Sequence, residues 1–253
     1  MLIGVHNFRD AGGYRAAGGL VRPNLLFRSG RLAAAIEDDE RVLRGLGLTT
    51  IVDLRRGAER DAHPTGAWAA ACKTVASDIG GHADPWVTFL RKGEPSASSV
   101  RAYIAAFYRL VPFEERHVDL FSRYFLALAD GGGAILVHCS GGKDRTGIAV
   151  ALTHSLIGVA RDDILTDYLL TNRYWNYETH GPAVAAAMEE EAGKPVDPDA
   201  VRAAIEVEAE YLDAAFDIIT RRAGSVEGYL DKVLGISKIR QRAIIAHLVE
   251  PGA

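Results

Sequence analysis

Cys139 and Arg145 stand six positions apart, with Ser140, Gly141, Gly142, Lys143 and Asp144 between them. A thiol and a guanidinium at that spacing can close a semicircular loop around an anion. Arg offers a planar fork that matches two phosphate oxygens. Gly141 and Gly142 let the backbone curl so that the N–H groups of Ser140 to Arg145 converge. The same positive field favours thiolate over thiol. A sulfur nucleophile beneath a phosphate cradle points to phosphoryl transfer to sulfur, followed by hydrolysis. Lys143 adds a point charge at the rim. Thr146 is placed to hydrogen-bond the thiolate as leaving group, and His138 to orient the loop.

Such a loop needs a strand before it and a helix after it. Ala134 to Val137 are apolar and read as a short buried strand; after Thr146 an apolar helical pattern runs from Ile148 to Gly158. A strand, a tight loop and a helix N-terminus form an anion site through unpaired N–H groups and the helix dipole. A Walker A loop is the competing phosphate motif, but Lys143 is followed by Asp144 rather than Ser or Thr.

The string His138-Cys-Ser-Gly-Gly-Lys-Asp-Arg-Thr-Gly147 resembles the phosphate loop of cysteine-dependent phosphatases. It is most similar to a bacterial branch of tyrosine phosphatases related to phosphoinositide phosphatases, whose loop reads His-Cys-x-x-Gly-Lys-Asp-Arg-Thr-Gly. Other segments resemble that branch in the same order. They are Asn7-Phe-Arg-Asp-Ala-Gly-Gly13, Phe27-Arg-Ser29, Asp53-Leu-Arg55 with Glu59, Asp167-Tyr-Leu169 with Asn172, and Gly224-Ser225 with Gly228-Tyr-Leu230. The resemblance spans roughly residues 6–248. It implies an α/β fold with a central, mostly parallel sheet flanked by helices, extended by a helical C-terminus. It also implies an enzyme of the protein-tyrosine-phosphatase kind that needs no cofactor and no metal.

The resemblance leaves the general acid open. Tyrosine phosphatases carry theirs on a mobile loop in Trp-Pro-Asp order. Asp84-Pro85-Trp86 reverses that order and so reverses where the side chains point, which sets it aside. Asp144, inside the loop, is the first choice to protonate the leaving oxygen and then activate water; Asp53 is the second. Asp53 and Arg55 stand at the end of a strand read over Thr49 to Leu54 and should lie at the sheet end that carries Cys139, either near substrate or as an ion pair bracing the loop. Arg9 and Asp10 read as braces for the turn that ends at Gly13.

The 253 residues are 48% apolar and 25% charged, ordinary for a globular chain, and form one expected phosphatase domain over 1–253. A net charge of −4 gives no global basic field, so nucleic acid is not expected as a partner and any attraction for phosphate must be local. Two cysteines far apart make no disulfide framework, and a reduced compartment suits the thiolate. No apolar run reaches the ~18–20 residues that span a bilayer, and no signal peptide is legible. Cytoplasmic residence is therefore expected, although export without a readable signal would leave no mark.

Residues 76–99 read as an irregular surface segment bordering the site. Residues 173–197, with a helix over Ala183 to Ala192, read as either a lid or a peripheral hairpin. Asp199 to Ala223 reads as one long amphipathic helix. The expected substrate is a phosphotyrosyl protein first and a phosphoinositide second. A module that only captures phosphorylated partners is the reading from another class, and the intact Cys139 and Arg145 argue against it.

Overall fold

A computed structural model describes residues 2–81 and 84–252. Its centre is a sheet ordered β1 (Arg9–Asp10), β4 (Leu26–Ser29), β7 (Ala134–His138), β5 (Leu48–Asp53) and β6 (Lys73–Val75). The edge strand β1 runs antiparallel to β4, and the other pairings are parallel. Every residue of β4 and β7 is buried, as a strand covered on both faces requires. A small antiparallel sheet, β2 (Arg15–Ala16), β3 (Gly19–Val21) and β8 (Val249–Pro251), ties the C-terminus to the N-terminal region.

The register of the parallel strands places the site. Ser29 pairs with His138, and Asp53 pairs with the same His138 from the other side. The three parallel strands therefore end in one row, and the segments after them emerge side by side. This puts Gly30–Arg31, Leu54–Arg55 and the Cys139 loop at one edge, where ligands sit in parallel sheets.

Helices α1 (Glu37–Gly45) and α2 (Gly57–Ala62) flank β5. Two more, α4 (Ala97–Leu110) and α5 (Glu115–Asp130), precede β7; between α2 and α4 lies α3 (Pro85–Lys92). The helix after the loop, α6 (Asp144–Leu156), is buried on nearly every side, which explains its continuous apolar run. It starts earlier than its apolar pattern, so Asp144 and Arg145 occupy its first turn. Around it lie α7 (Arg161–Leu169), α8 (Thr171–Tyr174), α9 (Tyr177–Ala192), α10 (Pro198–Ile205), α11 (Ala209–Ala223), α12 (Val226–Lys232) and α13 (Lys238–Leu248).

Three expectations need correction. The helix expected over 199–223 is two helices, broken at Glu206–Glu208. There the Asn172 amide accepts the Val207 N–H at 2.8 Å and donates to the Val207 carbonyl at 2.9 Å, standing in for a backbone partner. The segment 76–99 contains α3. Its start has a local cause: Asp84 accepts the Trp86 N–H at 3.0 Å as N-cap, and Pro85 fills the first helical position. The helix expected from Ala183 begins at Tyr177, because the Asn176 side chain caps Thr179, and it continues through Gly181-Pro182.

Candidate active site

The Cys139 loop joins β7 to α6 and lines a cavity of about 520 Å³ with Glu59, Asp84, Tyr103 and Trp175. Ser140, Gly141, Lys143, Asp144 and Arg145 line it too. Gly142 has φ +67°, and a Cβ there would collide with the Ser29 carbonyl group, so the tight pass of the loop over β4 requires glycine.

Arg145 is fixed by its partners. Nη1 donates to Glu59 Oε2 at 2.7 Å and to the Leu54 carbonyl at 3.2 Å, while Nη2 donates to Glu59 Oε1 at 2.7 Å. The Nε and outer Nη2 hydrogens keep no protein acceptor among the described residues. Those two N–H groups lie along one edge of the guanidinium, a ready fork for two oxygens. Burial opposes the charge, but Glu59, and then Cys139, hold this guanidinium protonated well above its ordinary range.

Glu59 is the organising carboxylate. It also accepts from the Ser140 hydroxyl and, at 2.7 Å, from the Arg56 N–H. Against the pull of burial, Arg145 and Ser140 keep it well below the usual carboxylate range. In the sequence Glu59 is only the last letter of a motif, with no role of its own; its position one helical turn into α2 is the available signal.

Asp53 and Arg55 form a buried pair, with Nε–Oδ1 at 2.9 Å and Nη2–Oδ2 at 2.7 Å. Burial would raise Asp53, but His138 and Arg55 hold it below its usual range, a poor setting for an acid. His138 lies 3.6 Å from Asp53 and is fully enclosed; burial lowers its pKa despite that carboxylate. Buried Arg116 donates to the Leu54 and Arg55 carbonyls and so holds the turn that carries this pair.

A second network lies beneath the loop. Asp167 on α7 binds Arg28 Nη1 at 2.6 Å and Arg9 Nε at 3.1 Å. Arg28 then donates to the Gly142 carbonyl at 2.9 Å. Arg9 donates to Asn7, whose amide donates to the carbonyls of Gly141 at 3.1 Å and Gly142 at 2.9 Å. Three motif fragments, each unremarkable alone, thus meet to set the loop from below. Asp10 stays apart, accepting the Gly12 N–H at 2.7 Å and the Asn24 N–H at 2.6 Å in its own turn.

Asp144 accepts the Tyr108 hydroxyl at 3.0 Å and lies 3.2 Å from Lys143 Nζ. Burial first, then the Asp144 charge, raise Tyr108 well above the ordinary phenol range, so it stays protonated and donates. Tyr108 fits the apolar face of a helix in the sequence, and its polar tip has no local signal. Lys143 is nearly buried rather than at an open rim. The Thr146 hydroxyl is buried and has no partner among the described residues.

One acid differs from the rest. Burial, and next the Glu59 charge, push the Asp84 carboxyl above its usual range, against the Trp86 N–H and Arg145. It faces the same cavity as Cys139, at the start of α3, although its reversed motif order argues against it in the sequence. Trp86, Leu90, Tyr103, Phe107, Val184 and Met188 complete an apolar wall drawn largely from α3, α4 and α9.

Residues 1–250 match a family model described as the tyrosine phosphatase family. A Cupriavidus necator protein, provisionally named a tyrosine-protein phosphatase, is 36% identical over 242 residues, covering 94% of this chain and 85% of its own. The triple specificity protein phosphatase PtpB of Mycobacterium tuberculosis is 31% identical over 270 residues, covering 94% of each chain. A tyrosine-protein phosphatase of Nostoc commune is 30% identical over 132 residues, 49% of this chain and 42% of its own.

Proposed function

The chain belongs to the tyrosine phosphatase family, and on that premise we propose that it removes phosphate from protein phosphotyrosine through a cysteinyl-phosphate intermediate. The observation that carries this reading is the Arg145 fork, clamped on two sides by Glu59 and Leu54 and left open on the third, in the cavity that Cys139 lines.

In the first step the Cys139 thiolate attacks phosphorus, an S–P bond forms, and the ester P–O bond breaks. The departing oxygen takes a proton from a carboxyl group. Arg145 and the loop N–H groups of Ser140 to Arg145, including those of Gly141, Gly142 and Lys143, hold the three remaining oxygens as charge shifts. In the second step water attacks phosphorus and gives its proton to the same carboxylate. The S–P bond breaks, inorganic phosphate leaves, and the thiolate returns. Thr146, whose hydroxyl has no other partner among the described residues, would donate to that sulfur. Asp53, Arg55 and His138 act by holding the loop, not by touching substrate.

Hydrolysis of an aryl phosphate should fall to background in Cys139→Ser, while phosphate-ester binding survives. Unchanged turnover in that variant would exclude sulfur chemistry.

Asp144, the carboxylate of the loop itself, is the proposed acid. Asp84 is the alternative, favoured by its raised pKa. A general acid must be protonated to work, so its loss removes the fall of kcat with rising pH. The variant that flattens this alkaline limb, Asp144→Asn or Asp84→Asn, identifies the acid. We expect a loss of ~10²–10⁴-fold in kcat with natural substrates and a smaller one with good leaving groups.

Protein substrates are favoured over lipids because the relative of broadest printed specificity is named for proteins and because the cavity wall is aromatic, matching a tyrosyl ring. Phosphoinositide head group, offered at equal concentration, should be the poorer substrate. Among the described residues no helix is long and apolar enough to cross a membrane.

A further inference from the structure

The cations of the cavity are not equivalent. Arg145 is paired with Glu59, Arg56 with Glu114 at 2.6 Å, and Lys143 with Asp144. Arg31 lines the same cavity and has no carboxylate partner among the described residues. Its Nη1 lies 2.9 Å from Nε2 of His63, which also lines the cavity.

Both members of this pair are anchored. The Arg31 N–H donates to the Ser140 carbonyl at 2.9 Å, so its backbone rides on the phosphate loop. His63 follows α2, the helix that carries Glu59, and its carbonyl accepts from Arg55 Nη1 at 2.6 Å. The ring takes the Arg31 hydrogen bond on Nε2, so the neutral tautomer keeps its proton on Nδ1. Burial, then the charges of Arg31 and Arg55, lower the pKa of His63 despite Glu59, which favours the neutral ring. Glu59, the acid that acts on His63, is committed to Arg145, and Asp39 is committed to the N–H groups of Ile3 and Gly4. A guanidinium with fixed backbone, a neutral orienting acceptor and no counter-charge among the described residues is a seat for one anion.

We infer that Arg31, oriented by His63, forms a second anion subsite of the catalytic cavity, and that the preferred substrates are phosphotyrosyl segments with a carboxylate on a residue flanking the phosphotyrosine. The inference rests on the phosphotyrosine reading above. One unpaired guanidinium balances one carboxylate; a bisphosphorylated head group would bring more charge than this seat neutralises. A flanking phosphoresidue would use the same chemistry, and peptides can separate the two.

The test compares phosphotyrosyl peptides flanked by glutamate, phosphoserine or alanine, with wild type, Arg31→Gln and His63→Ala. Wild type should prefer the glutamate peptide to the alanine peptide by about tenfold in kcat/KM, the scale of one charge-assisted contact. The preference should sit in KM and shrink with added salt. Arg31→Gln should bring the ratio close to one, and His63→Ala should lower it part of the way. The same ratio, read as Kd in the Cys139→Ser background, decides the point even if turnover is absent. A wild-type ratio near one, or a ratio that survives in Arg31→Gln, overturns the subsite. So does an Arg31→Gln defect confined to phosphoinositide vesicles, or a phosphoserine peptide favoured with no glutamate preference. Failure of wild type to cleave a plain aryl phosphate would instead sink the phosphatase reading, while the Kd ratio would still judge Arg31.

Discussion

Arg145→Lys is expected to lower kcat for an aryl phosphate by about 10³-fold or more, with a much smaller change in KM. Lysine keeps the charge and loses the fork. The native guanidinium binds Glu59 and Leu54 through both terminal nitrogens and keeps an open edge. An ammonium that satisfies Glu59 has no fixed second edge to follow the phosphoryl oxygens as they flatten towards the transition state. Stabilisation realised only there appears in kcat. Arg145→Ala adds a stability defect, because the partly buried Glu59 would be left without its cation. The pair of variants separates two roles: steady-state kinetics reads the fork, and urea denaturation reads the ion pair. Equal kinetics for Lys and Arg at 145 would show that only charge matters.

Asp167→Asn should destabilise the fold by about 3–5 kcal/mol although it lies outside the catalytic loop. It would leave Arg9 and Arg28 buried against an amide, and the carbonyls of Gly141 and Gly142 would lose the positions of their donors. The effect has a pH signature. Burial favours the neutral acid, but Arg28 and Arg9 lower the Asp167 pKa to about 2, from a usual 3.8. A carboxylate depressed on folding stabilises the native state above its unfolded pKa. The contribution is therefore whole above about pH 4 and is lost as pH falls from there through about 2. Urea midpoints of wild type and Asp167→Asn should differ by a constant amount from about pH 8 down to about 5 and converge in acid. A gap that widens in acid would contradict the assigned ionisation. Turnover should fall as well, since the loop loses its support, and an active variant with an unaltered KM would detach this network from the site.

Legibility in the sequence follows the range of the interactions. The strand, loop and helix around Cys139 are local, and their residues announce them in order. The placing of Asp53 beside the Cys139 loop comes from the rule for parallel strands once their two strands are recognised. The Asp167 network does not, because Arg9 and Asp167 are 158 positions apart and each fragment alone reads as ordinary helix or turn. Glu59 is visible as a letter in a motif, but its bond to Arg145 depends on how α2 packs. The break at Glu206–Glu208 is hidden because Val207 fits an apolar periodicity, and only the distant Asn172 amide shows why the helix stops. The start of α3 is the instructive miss. Comparison with a loop of reversed order draws attention away from a plain Asp-Pro helix start.

A covalent bond between Cys139 sulfur and phosphorus is the claim on which the rest depends. Wild type mixed with an aryl phosphate and quenched in acid during turnover should yield, by peptide mass spectrometry, one phosphoryl group on the peptide containing Cys139, absent in Cys139→Ser. A quenched enzyme that is turning over and carries no phosphoryl group, or carries it on another residue, would contradict it.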